Sequence, residues 1–166
     1  MKRRSVLLGA VGLAGAGWLL RPDDKGGNHD GYFREVSNAL DQASRSRPTL
    51  VVDRAAMHQN IQTLQRHIDG RFAYRIVAKS LPSLPLLEEV MTATGSRRLM
   101  LFNQPFINQV AAAFPDVDVL LGKPLPVAAA RNFYRAYEGG RFAPQEQLHW
   151  LLDSPQRAEQ YLSLIH

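Results

Sequence analysis

Short apolar runs alternate along this chain with stretches of helical period, and that alternation is the strongest constraint on its fold. Residues 49–52, 73–78, 98–102, 117–121 and 149–152 are five runs of strand length. Asp53 caps the first intervening helix, where Ala56, Asn60, Ile61, Leu64 and Ile68 follow helical spacing. Further helices are predicted over 84–93, about 105–114 and about 127–137. Ser154-Pro155 opens a last one, with the serine as cap and the proline at the first helical position. Such regular alternation implies parallel strands joined by right-handed crossovers, an α/β architecture. No glycine-rich dinucleotide fingerprint follows any strand, and Gly122-Lys123-Pro124 lacks the upstream glycine and downstream hydroxyl of a phosphate-binding loop.

Five βα units fall short of the eight that close a barrel, which typically takes about 250 residues. The 166-residue chain stops at Leu162-Ser163-Leu164-Ile165-His166, inside a helical pattern. It therefore reads as the N-terminal portion of a longer protein, with sheet edges that invite aggregation when left open.

The expected organisation has three parts: an export signal or N-terminal anchor over 1–22, a linker and short helix over 23–47, and the α/β domain over 48–166. Lys2, Arg3 and Arg4 precede a glycine-rich apolar stretch from Ser5 to Leu20, too short for a comfortable membrane span. Arg3-Arg4-Ser5-Val6-Leu7-Leu8 looks like a twin-arginine signal, which places the protein in a bacterial periplasm or anchored facing it. The polar linker leads into a helix from about Tyr32 to Ser44, with Phe33, Val36 and Leu40 on one face. The net charge of +5 is concentrated toward this N-terminal part, with no basic stripe interleaved with aromatics, so nucleic acid is not an expected partner. The absence of cysteine excludes disulfides, thiolate metal sites and cysteine nucleophiles from the chain.

Lys79 is the main candidate for chemistry. It follows the apolar run Ala73-Tyr74-Arg75-Ile76-Val77-Ala78 and precedes Ser80-Leu81-Pro82-Ser83, the turn into a helix. The C-terminal ends of strands are where α/β folds place their reactive groups. A lysine stripped of water there becomes a better nucleophile toward carbonyl groups such as that of pyridoxal phosphate. The alternative is a lysine that ends the strand and points into water. Arg75 stands four residues earlier, on the same strand face as Val77 and Lys79 by period-two alternation. It faces the barrel interior with Lys79 on one reading and snorkels to solvent on the other.

The order of a Thr-Leu-Val-Val-Asp strand, a helix containing Asn60, a strand ending in Lys79, and a strand closing on Asp153-Ser154 resembles a known family. It is similar to the N-terminal barrel domain of the alanine racemase-like, fold-type III pyridoxal-phosphate enzymes, over about 48–166. Within that family it looks closest to the D-threonine aldolase and D-serine dehydratase branch. The resemblance implies a TIM-like (β/α) barrel, here partial, with pyridoxal 5′-phosphate at the C-terminal strand ends. Lys79 matches the lysine that forms the Schiff base and acts as a base at the substrate α-carbon, and Arg75 matches a nearby arginine. The implied substrate is a D-amino acid, cleaved at a β-hydroxyl-bearing carbon or by β-elimination. The implied alternatives are an amino-acid racemase and a non-catalytic exported homologue that binds the cofactor or serves as a scaffold. A homodimer is open for the full-length protein. Val77 stands where that branch has histidine, Ser80-Leu81-Pro82 replaces a polar run, and Lys123-Pro124 replaces Asn-Pro. The branch's phosphate loop, later acid–base groups and metal ligands would lie beyond His166.

The remaining candidates have simpler readings. Asp53 and Asp153 end strands and are expected as helix-start residues. Asn103, Gln104 and Lys123 follow strands on the expected functional rim, where they either meet a carboxylate or satisfy local backbone. His29, His58, His67, His149 and His166 form no metal-ligand pattern, and no serine has a nucleophile-elbow context.

Overall fold

The computed structural model describes residues 26–45, 47–80 and 82–165. The export signal or anchor expected over 1–22, Leu81 of the expected turn and His166 lie outside the described residues. The chain divides into two compact units, 1–51 and 52–166.

In the first unit, helix α1 (Gly31–Gln42) starts at Asp30, whose carboxylate accepts the Phe33 amide at 3.0 Å. None of its residues is buried, and Tyr32 and Phe33 are exposed. The strand expected over 49–52 does not form. The run is irregular, with Leu50 72% exposed and Val51 and Val52 also exposed. β-Branched composition favours a strand only where a neighbouring backbone supplies the ladder, and this run has no ladder partner among the described residues.

The second unit is an alternating α/β body. Its elements are α2 (Arg54–Ile68), β1 (Ile76–Val77), α3 (Leu84–Thr94), β2 (Arg98–Leu101), α4 (Gln104–Ala113), β3 (Asp118–Leu121), α5 (Val127–Ala136), the short α6 (Pro144–Gln147), β4 (Leu148–His149) and α7 (Pro155–Ile165). The helices begin where side-chain acceptors satisfy free amides. Asp53 takes the Ala56 amide at 2.9 Å, Asn103 that of Phe106 at 3.0 Å and Ser154 that of Arg157 at 3.2 Å. Helix α3 ends at Gly95, whose φ of +69° is the left-handed cap that glycine adopts without strain.

Among the described residues four strands, not the expected five, form one parallel sheet in the order β1-β2-β3-β4. Ile76 pairs with Leu99, Leu99 with Val119, and Val119 with Leu148. In sequential parallel order, crossovers of one hand place their helices on one face of the sheet. The burial pattern agrees. Ile76, Leu99, Leu101, Val119, Leu121 and Leu148 are buried, while the alternate positions Val77, Arg98, Met100, Leu120 and His149 are not. Successive helices also pack on their neighbours, α2 on α3, α3 on α4, α4 on α5 and α5 on α7.

The core between sheet and helices is anchored by Leu99, Ile107, Val110, Val119 and Phe133, all fully buried. Its C-terminal corner is aromatic. Phe133 stacks on Tyr137 at 5.7 Å, and Trp150 meets Phe133 and Tyr161 edge-on at 6.0 and 5.3 Å. The Tyr161 hydroxyl, its pKa raised by burial, donates to the Leu125 carbonyl at 2.8 Å and fastens α7 to the body.

Candidate functional site

The helix-free face of the sheet arranges its side chains in levels set by the strand register. Extending the pairing of Val77 with Met100 and of Leu101 with Leu121 places Lys79, Phe102 and Gly122 at one level, at the C-terminal ends of β1, β2 and β3. Two backbone bonds carry the ladder to this point, Ala78 N to Met100 O at 3.0 Å and Gly122 N to Leu101 O at 2.9 Å. Below it lie Val77, Met100, Leu120 and His149. The lowest level contains Arg75, Arg98 and Asp118.

Lys79 is exposed, and its Nζ sits 5.4 Å from the centroid of the Phe102 ring. That distance is within the range of a cation–π contact. No carboxylate pairs with this ammonium among the described residues. Phe102 in turn lies against Gly122. A Cβ at position 122 would fall 2.3 Å from two of its ring carbons and 3.0 Å from Met100 Cγ.

Arg75 occupies the other end of the strands. Its Nη1 donates to the carbonyls of Leu99 at 2.9 Å and Asp118 at 3.1 Å, and its Nη2 pairs with Asp118 Oδ1. His149 Nε2 meets Asp118 Oδ2 at 2.9 Å. Burial pushes the Asp118 carboxyl up, but the bonds from His149 and Arg75 outweigh it and hold the group below its usual range. At about 3.3 Å per residue, the four-residue offset separates the backbones of Arg75 and Lys79 by about 13 Å. The structure therefore does not bring these two residues together. Arg75 ties β1, β2 and β3 across their N-terminal ends, and Lys79 stands at the opposite rim.

The other sequence-derived candidates sort the same way. The Asn103 amide oxygen is occupied as the cap of α4, and Gln104 Nε2 donates to Asn108 Oδ1 on the same helix. Asp53 caps α2. Asp153 is 3.7 Å from Arg157, one turn along α7. Lys123 is exposed, just past the end of β3. A groove of about 630 Å³ opens among Phe72, Tyr74, Arg97, Arg98, Asp116 and Asp118. It lies at the N-terminal strand ends, far from Lys79, and Arg97 already pairs with Asp116 at 3.3 Å.

Phe102 and Gly122 were not legible as site residues. Each stands one position beyond a strand, and only the inter-strand register shows that they share a level with Lys79. Phe102 follows Arg98 and Met100 at period two, a signal that gives its face but not its neighbours. No family model matches the chain, and neither a curated protein nor a solved structure matches it.

Proposed function

We propose that this chain forms part of a pyridoxal-phosphate enzyme acting on D-amino acids, by aldol cleavage or β-elimination of β-hydroxy amino acids, with Lys79 as the cofactor-holding residue. The observation that carries the reading is a primary amine at the C-terminal rim of a singly wound parallel sheet, reachable from solvent and free of any carboxylate partner among the described residues. Sequential strand order with helices on one face is what a partial (β/α) barrel presents, and such barrels place their chemistry at this rim. The aromatic side chain beside the amine offers a face on which a flat ring can stack.

Bound at Lys79, the cofactor supplies an electron sink for a carbanion at the substrate α-carbon. Lys79 Nζ would hold the aldehyde carbon and, when free, is a base able to take a proton from a substrate carbon. Phe102 shields one side of that amine from water. Arg75 belongs to the reading as the floor of the site, where with Asp118 it fixes the strands that carry Lys79 and Phe102. Lys123, at the same rim, offers a cation to a substrate carboxylate. With the export signal or anchor expected over 1–22, the activity belongs to the periplasm or to a membrane-anchored protein facing it; among the described residues no helix is long and apolar enough to cross a membrane.

The exposure of Lys79 favours a second reading, a non-catalytic exported homologue that binds the cofactor or acts as a scaffold. Borohydride reduction of the protein incubated with pyridoxal phosphate, followed by peptide mass mapping, separates the two. The expected result is a pyridoxyl adduct on the Lys79 peptide, lost in Lys79→Ala, with glyoxylate or pyruvate released from D-β-hydroxy amino acids. An unmodified Lys79 peptide overturns the cofactor reading, and an adduct without turnover selects the non-catalytic binder.

A further inference from the structure

The level that holds Lys79 is built by two residues that no motif assigns, and its geometry is specific. We propose that Phe102 is a positioning residue for Lys79, and that Gly122 is glycine because the Phe102 ring occupies the space of its side chain. The inference rests on the reading of Lys79 as the reactive amine only for its functional meaning; the seat itself stands on geometry.

Three adjacent strands contribute one residue each. Gly122, just past β3, presents bare backbone to the ring of Phe102, with two ring carbons 2.3 Å from where a Cβ would sit. Phe102, just past β2, lays its ring over Gly122, and Lys79 Nζ reaches to 5.4 Å from the ring centroid. The electron-rich face of a benzene ring attracts an ammonium. A lysine with four free torsions otherwise spreads over many rotamers, so a ring that attracts its head selects the ones reaching over the mouth of the sheet. Gly122 has no left-handed backbone that would demand glycine, so the close approach of the ring is what requires it. The clashing atoms belong to the far end of a side chain. Alanine at 122 therefore pushes the ring aside and leaves the backbone in place.

The seat also gives Phe102 a second use. When Lys79 Nζ is covalently engaged and no longer an ammonium over the ring, the same face is left to stack on a planar group held by that nitrogen. Phe102 thus sets the orientation of the amine before a carbonyl compound binds and provides a platform afterwards.

The experiment uses reductive methylation with ¹³C-formaldehyde, which keeps the charge and gives one methyl signal per lysine. The chain has four lysines, so Lys79→Arg identifies the Lys79 signal directly. The expected result is a Lys79 methyl resonance displaced upfield by the ring current, moving to the position of the other lysines in both Phe102→Leu and Gly122→Ala. Phe102→Tyr restores the displacement. Loss of the shift in Gly122→Ala, where the aromatic residue is retained, is an effect that general loosening by Phe102→Leu does not imitate. If Phe102→Leu fails to fold, Gly122→Ala and Phe102→Tyr still decide. A Lys79 signal that is undisplaced in the native protein, or indifferent to both substitutions, overturns the proposal.

Titration with pyridoxal phosphate, followed by the absorbance of the lysine adduct in unmethylated protein, tests the functional meaning. Adduct formation weakened about two- to tenfold in Phe102→Leu, the factor equivalent to one lost aromatic stacking contact, is expected. An upfield Lys79 signal with no adduct leaves the seat standing and sinks the cofactor reading. An adduct on Lys79 with a signal insensitive to Phe102 does the reverse.

Discussion

Asp118 takes side-chain bonds from both flanks of β3. It begins β3, receives Arg75 from the β1 side and His149 from β4, and keeps its carboxyl ionised against partial burial. Its folded-state pKa is depressed, so its stabilising contribution is complete above the ordinary carboxylate range and disappears as pH falls through the depressed value. Asp118→Asn is expected to destabilise the second unit by about 1–2 kcal/mol at neutral pH, a charged hydrogen-bond effect discounted for solvent exposure. Chemical denaturation at pH 7 and pH 3 measures it. The native-minus-variant gap should narrow at the lower pH, and an unchanged gap would mean the ion pairs are not its source. The role of Arg75 was only half legible in the sequence. Period-two alternation gave its face together with Lys79, but the four-residue offset along a strand outweighs a shared face. Its partner, Asp118, is 43 positions away, beyond the reach of any local pattern.

Within the second unit, α2 is tied to α3 largely by polar contacts. It buries only Ile61. Arg54, His58, Ile61 and Gln65 share a stripe at helical spacing, and three of them bond α3: Arg54 Nε to Glu89 at 2.9 Å, His58 Nε2 to the same oxygen at 2.8 Å, and Gln65 Nε2 to the Ala93 carbonyl at 3.1 Å. The bonds from His58 and then Arg54 hold the Glu89 carboxyl below its usual range. By the same sign rule as for Asp118, acidification removes this docking force. Glu89→Gln is expected to raise amide hydrogen exchange across α2 at neutral pH while leaving α4 and α5 unchanged; equal exchange in both proteins would assign the docking to Ile61 alone. The helices were legible because caps and apolar spacing are local: Asp53, Asn103 and Ser154 announce their helices in the sequence and perform that role in the structure. The run at 49–52 misled because a strand is a relation between segments. The same β-prone composition that forms β3 stays irregular at 49–52.

For the second unit as a whole, the decisive feature is that all helices share one side of the sheet. Alternation in the sequence predicted parallel strands and crossovers, and both are present. Alternation alone does not say whether the strand order will reverse, and reversal separates a doubly wound sheet from a singly wound one. Here β1 to β4 run in sequence order, which leaves Val77 57% exposed and Met100 and Leu120 half-buried on the bare face. The candidate site follows from this arrangement, because the bare face presents Lys79, Phe102 and Gly122 on one level.

The aromatic corner has an optical consequence. Trp150 packs among Phe133, Tyr134 and Tyr161, with its indole Nε1 donating to the Tyr134 hydroxyl at 3.2 Å. In a Trp18→Phe background its emission therefore reports the seam of α5, β4 and α7, and is blind to the docking of α2. As pH falls, far-ultraviolet dichroism should begin to lose helical signal from α2 while the Trp150 emission maximum stays put. The protein would then carry its own two-channel readout, one channel set by carboxylates and the other by ring packing. A single shared midpoint for both signals would show that the polar and aromatic halves melt as one cooperative body.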